Sequence, residues 1–93
     1  MRLIERTNQF KRDYRRESKG RNREVLGTEL AEILGLLAND LPLPARCFDH
    51  SLTGDWVDHR DCHIRPDLVL IYRKVGEDRL QLVRIGSHSE LGL

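Results

Sequence analysis

Pro42 and Pro44, in the run Leu41-Pro42-Leu43-Pro44, divide this chain into two halves that cannot share one secondary structure. A helix arriving from the N-terminal side stops there, because proline lacks the N–H and clashes with the preceding turn. Before the prolines, Val25, Leu26, Leu30, Ile33, Leu34, Leu36 and Leu37 recur mostly at steps of three and four. That spacing is the apolar stripe of a helix with one buried face. After them the period changes. Leu68–Val75 is rich in β-branched and aromatic residues and lies between Arg65-Pro66-Asp67 and Gly76-Glu77-Asp78, two turn signals; it reads as a strand.

The helical half is predicted to be a hairpin over residues 7–39. Thr7, or else Asn8, caps a first helix that runs to about Lys19 with Phe10 and Tyr14 on one face, and Gly20 closes it. A second helix starts at Asn22 or Arg23 and ends at Asn39–Asp40. In the other half, strands are expected over Arg46–Leu52, Trp56–Ile64, Leu68–Val75 and Arg79–Ser87, and Arg2–Arg6 could form a short extra one. The fold class is therefore α+β: one domain spanning residues 1–93, with two helices on one face of a mostly antiparallel sheet of three or four strands. The longest apolar run is far below the ~18 residues of a membrane span, and the first residues are too charged for a secretory leader. Two cysteines, Cys47 and Cys62, do not make a disulfide scaffold. They read as free thiols in a cytoplasmic protein.

Charge is distributed unevenly. Residues 1–23 carry nine Lys and Arg against three acids, a net +6 in a chain whose total is +1. Such a segment suits phosphate or an acidic protein partner, or is simply a solvated helix face. All four histidines lie in the second half, as His50, His59, His63 and His88, among Asp49, Asp58, Asp61, Asp67, Arg60, Arg65 and Arg84. On straight strands, Arg84 and His88 share a face, as do His59, Asp61 and His63. Histidine both takes and gives a proton near neutrality, and arginine holds a phosphate. Several histidines with an aspartate and an arginine are the parts for metal-free RNA cleavage through the 2′-OH. A rival is a zinc site from His59, Asp61 and His63 with Cys62, Cys47 and His50, although no CxxC spacing supports it. His59 reads as a surface residue, Arg84 as a possible salt-bridge partner of Asp67 or Asp61, and Trp56 and Tyr72 as packing residues.

The motifs LPLP, DHSLTGDW, HRDCHIRPDLVLIY and RIGSHSEL follow one another over residues 41–91. In that order they resemble the YafQ-type branch of the RelE/ParE toxin superfamily, bacterial toxin–antitoxin ribonucleases. The first forty residues match only in pattern. The resemblance implies a compact α+β fold like that of small microbial RNases. It also implies ribosome-dependent cleavage of mRNA, no cofactor or metal, and inhibition by a cognate antitoxin. The free toxin would be a monomer and the antitoxin-bound form a larger assembly. Carried over by motif, the catalytic candidates are His50, His63, Asp67, Arg84 and His88. His88 would be the general acid, His50, His63 and Asp67 would share base work and positioning, and Arg84 would bind the scissile phosphate. Arg12, Arg15, Arg16, Lys19 and Arg65 are the RNA-binding candidates, and the first-helix residues among them equally suit an antitoxin. Two positions depart from the pattern: Leu68 and Gly92 stand where relatives place aromatics that would stack on bases. The alternative function is a non-catalytic protein of the same fold, a gyrase poison or a titrator of antitoxin.

Overall fold

The computed structural model describes all 93 residues. The α+β expectation holds, with a larger sheet than the sequence suggested. Five strands lie in the order β1-β5-β4-β3-β2. They are β1 (Leu3–Arg6), β2 (His50–Ser51), β3 (Arg60–Arg65), β4 (Leu68–Val75) and β5 (Arg79–Gly86). The pairs β2–β3, β3–β4 and β4–β5 are antiparallel, whereas β1 runs parallel to β5 with Leu3 opposite Arg79. The sheet is therefore mixed.

The helices are α1 (Asn8–Glu17), α2 (Arg23–Gly27), α3 (Glu29–Ala38) and α4 (His88–Leu91). Thr7 caps α1 by accepting from the Phe10 N–H at 3.0 Å. The second helix of the expected hairpin breaks in two at Thr28. There the hydroxyl donates back to the Glu24 carbonyl at 2.9 Å and the backbone leaves helical geometry (φ −118°, ψ −82°). A threonine that bonds its own preceding turn competes with the helix in this way.

Strand β4 is buried on both faces, which explains its unbroken apolar run. Leu68, Leu70 and Tyr72 join the main core with Phe10, Leu26, Leu30, Ile33, Leu37, Leu80, Leu82 and Ile85, under the helices. Val69 and Ile71 meet Leu91 of α4 on the opposite face, with Leu52, Trp56 and Val83 packed beside them. The packing reading of Trp56 and Tyr72 thus holds.

Three expected boundaries are corrected. Arg46–Leu52 is mostly not a strand: Ala45–Cys47 is a 3-10 turn after Pro44, Phe48 adopts a left-handed backbone, and only His50–Ser51 pairs. Trp56–Ile64 begins as a 3-10 turn and becomes strand only at Arg60. The last strand stops at Gly86, because Ser87 caps α4.

Beyond Arg6, β1 ends and the outer edge of β5 would be left bare. Side chains of α1 and of its cap take its place. The Thr7 hydroxyl donates to the Val83 carbonyl at 2.8 Å, Asp13 accepts from the Ile85 N–H at 3.2 Å, and Arg16 donates to the Ile85 carbonyl at 3.0 Å.

Candidate active site

Asp61 and His63 alternate with the buried Cys62 and Ile64 along β3, so they face the side of the sheet that carries α4. The turn Arg65-Pro66-Asp67 then brings Asp67 against the start of α4. Ser87 and Glu90 form a reciprocal capping box there: the Ser87 hydroxyl accepts from the Glu90 N–H at 3.1 Å, and the Glu90 carboxylate accepts from the Ser87 N–H at 2.8 Å. That box fixes the first helical residue, His88.

His88 is held by Asp67 at two points. Its backbone N–H donates to Asp67 Oδ1 at 2.9 Å, and Nδ1 lies 2.7 Å from the same oxygen. These two bonds draw the Asp67 carboxyl below its ordinary pKa. A nitrogen facing an ionised carboxylate must carry the hydrogen, so Nε2 is the ring atom left for chemistry. The rings of His88 and His63 meet edge to face, with centroids 5.0 Å apart and planes at 78°. Phe48 continues the series, its ring 5.6 Å from that of His63.

His50 stands on β2, opposite Asp61 in register. Its Nδ1 donates to the Phe48 carbonyl at 2.6 Å and lies 3.0 Å from Asp61 Oδ1. With the N–H aimed at the carbonyl, that buried Asp61 oxygen is left without a hydrogen-bond donor. Burial raises the Asp61 pKa, and the nearby His50, His63 and His88 only partly oppose the rise. Asp61 thus sits among the site histidines, although the sequence reading left it outside the catalytic set. Its alternation with His63 was the available signal.

The structure brings His63, Asp67 and His88 together and sets His50 beside Asp61. Arg84 bonds elsewhere. It and His88 do not lie on one strand, since His88 begins α4, and its ion-pair partner is neither Asp67 nor Asp61. Arg84 Nε and Nη2 donate to Asp13 of α1 at 2.7 and 3.1 Å. Asp13 has no exposed side-chain surface. Burial alone would raise its pKa, but Arg84 and the Ile85 N–H outweigh that and hold the carboxyl below its ordinary value.

Among the RNA-binding candidates, Arg12 and Arg15 are exposed on α1 and Lys19 in the turn that follows it. Arg16 is exposed too, but its guanidinium is engaged with Asp13, Glu17, Glu90 and the Ile85 carbonyl. It crosses directly over Gly86, where a Cβ would lie 2.9 Å from Nη2; this close approach is what the glycine permits. Arg65 pairs with Glu29 at 2.8 Å. His59 lies outside the cluster, bonded to the Val57 carbonyl and packed edge-on against Trp56.

The zinc alternative loses its ligand set. Cys47 and Cys62 are free and buried in the core under the helices, on the far side of the sheet from His63. No group of three or more His, Cys, Asp or Glu is arranged to hold a metal ion.

The chain has well-matched relatives. Residues 2–92 match the family described as bacterial toxin of type II toxin-antitoxin system, YafQ. The mRNA interferase toxin YafQ of Escherichia coli K12 is 38% identical over 89 residues, which cover 95% of this chain and 92% of that protein. The fold superposes on a metal-bound toxin from Helicobacter pylori with a TM-score of 0.84 at 41% identity, over 98% of this chain and 99% of that one. It superposes on the crystallised E. coli DinJ–YafQ complex with a TM-score of 0.81 at 38% identity, over 98% of each chain. Sequence and fold agree over nearly the whole length, and the chain belongs to the YafQ family of bacterial type II toxin–antitoxin toxins.

Proposed function

We propose that this protein is an mRNA endoribonuclease that cuts transcripts on the ribosome, and that a cognate antitoxin silences it. The observation that carries the reading is His88, pinned through Nδ1 by Asp67 with Nε2 left for chemistry beside His63. An imidazole with one ring nitrogen tethered and the other presented is built for proton transfer. The E. coli relative named an mRNA interferase supports the activity, and the DinJ–YafQ complex supports a protein antitoxin as partner.

In the proposed scheme a general base removes the 2′-OH proton of the nucleotide before the cut. O2′ attacks the phosphorus, the P–O5′ bond breaks, and His88, in its imidazolium form with a hydrogen on both ring nitrogens, gives the Nε2 proton to O5′. The products are a 2′,3′-cyclic phosphate and a 5′-OH. His63 is the base in this reading, since its ring touches that of His88. His50 and Asp61 hold the next position along the site. Arg84 is assigned to the phosphate by its motif, and Nη1 is the guanidinium nitrogen that Asp13 leaves unengaged. The charge gathering on the phosphate oxygens is met by a fixed donor, the arrangement that stabilises such transition states most. Every proton in the scheme moves between side chains and RNA, so no step is routed through a metal or cofactor.

The test is 5′-end mapping of a reporter mRNA in a translating extract, with wild type and His88→Ala compared. Cuts that require translation and vanish in the variant, which keeps its fold by circular dichroism, are expected. Unchanged cutting by His88→Ala would remove the assignment. No cutting by the folded wild type would favour the non-catalytic alternative.

A further inference from the structure

Phe48 has no role in the chemistry above, yet it is placed as a working residue would be. Its side chain is 66% exposed, in a chain whose other large aromatics are mostly buried or half-buried. Its backbone is left-handed (φ 46°, ψ 45°), a conformation costly for a bulky side chain and found where function holds it. The His50 Nδ1–H bonded to the Phe48 carbonyl locks that conformation. The ring lies 5.6 Å from His63, one step from the proposed proton-transfer pair.

Phe48 and His63 also line a groove of about 720 Å³, with Pro66, Arg46 and Arg65 along it and Glu29 and Glu32 in its wall. Arg46 is exposed and has no carboxylate partner. Two carboxylates in the wall disfavour a phosphate inside the groove, while an uncharged nucleobase fits there and leaves its phosphates to the arginines at the rim.

The two positions where relatives carry stacking aromatics cannot supply a platform in this chain. Leu68 is 1% exposed and belongs to the core. Gly92 ends α4 with φ +72°, a conformation that side chains resist.

We infer that Phe48 is the base-stacking platform of this protein, holding one nucleobase of the RNA in the groove between Phe48, His63 and Arg46. This deepens the nuclease reading and rests on it for the identity of the RNA as substrate. Stacking on an aromatic ring is tolerant of sequence, and its loss weakens binding about ten- to a hundredfold per base. The site would therefore set where the message is held relative to the cut.

The probe is a trinucleotide whose first two sugars are 2′-deoxy, so that neither linkage can be cleaved, titrated into the full chain and followed by NMR. Upfield shifts of the Phe48 ring protons are expected, with matching shifts at His63. Phe48→Gly suits the left-handed backbone and so should fold at least as stably, yet bind about tenfold or more weakly. Phe48→Tyr should keep wild-type affinity. Phe48→Leu, which keeps bulk without a π face, should behave like the glycine variant and covers the case in which that one fails to fold. Translation-coupled cutting should fall in parallel.

No ring shift in the wild type, or full binding and cutting by Phe48→Gly and Phe48→Leu, would overturn the inference while leaving the His88 assignment intact. Ring shifts without any wild-type cutting would keep the platform and remove the nuclease. Unchanged RNA readouts with a loss of antitoxin affinity would overturn it by assigning Phe48 to the antitoxin.

Discussion

Asp13 shows how much a single side chain can hold in a small fold. It accepts from Arg84 and from the Ile85 N–H across a separation of about seventy residues, and from Arg16 on its own helix. Replacing it by Ala leaves a half-buried guanidinium and a buried N–H unpaired, and should destabilise the protein by about 3–5 kcal/mol, read from denaturant midpoints. Asp13→Asn keeps an acceptor and should cost less. The folded-state pKa of Asp13 is depressed, so its contribution is complete above the unfolded value, about 3.9, and drains away as pH falls through the lower folded value. Wild-type stability should therefore drop steeply below about pH 4, and Asp13→Asn should flatten that slope. None of this is legible in the sequence, where Asp13 is one acid in a run of Lys and Arg and reads as solvated. The site histidines were legible because their type names their chemistry and their motifs name their order. Arg84 was legible as a charge to be paired, but not its partner, because pairing is decided by which helix face lands on β5.

Among the elements, β4 was readable to the residue, since a strand buried on both faces needs an unbroken apolar run. The short helix α4 was missed although its signal is present. Ser87-His88-Ser89-Glu90 is a capping box of the form S-x-x-E, but the β-rich residues before it invite the strand to continue. The first strand was glimpsed, but its parallel pairing could not be, because a four-residue edge strand carries no sign of its neighbour's direction. Helix α4 begins with His88, the proposed general acid. Ser87→Ala removes the acceptor for the Glu90 N–H and should cost about 1 kcal/mol of stability, a loss the fold survives. Cleavage should fall further than that, by roughly tenfold or more, because a small displacement of a proton donor is amplified in the rate. Comparing melting temperature with the initial cutting rate of the same preparation checks this.

For the whole molecule, the decisive fact is that the basic segment and the candidate catalytic residues come from different halves of the chain. Helix α1 divides its charges between two tasks. Buried Asp13 and the exposed but engaged Arg16 tie the helix to β5 and α4, while Arg12, Arg15 and, just past the helix, Lys19 stay free of such ties. Replacing the exposed three by Gln should leave stability nearly unchanged. It should also reduce the slope of log affinity for single-stranded RNA against log salt by about 2, as fewer counterions are released. A slope equal to that of the wild type would show that these cations do not contact RNA. The sequence revealed the +6 segment but not this division, which depends on which residues of one helix look inward.

The edge of β5 past Arg6 carries one more consequence. It is sealed by side chains, and one of the three seals is the Asp13 carboxylate on the Ile85 N–H. An unpaired strand edge is a template for another chain. Protonation of Asp13 weakens one of these three seals, so acid should loosen this edge and favour strand-to-strand association, read as light scattering below about pH 4.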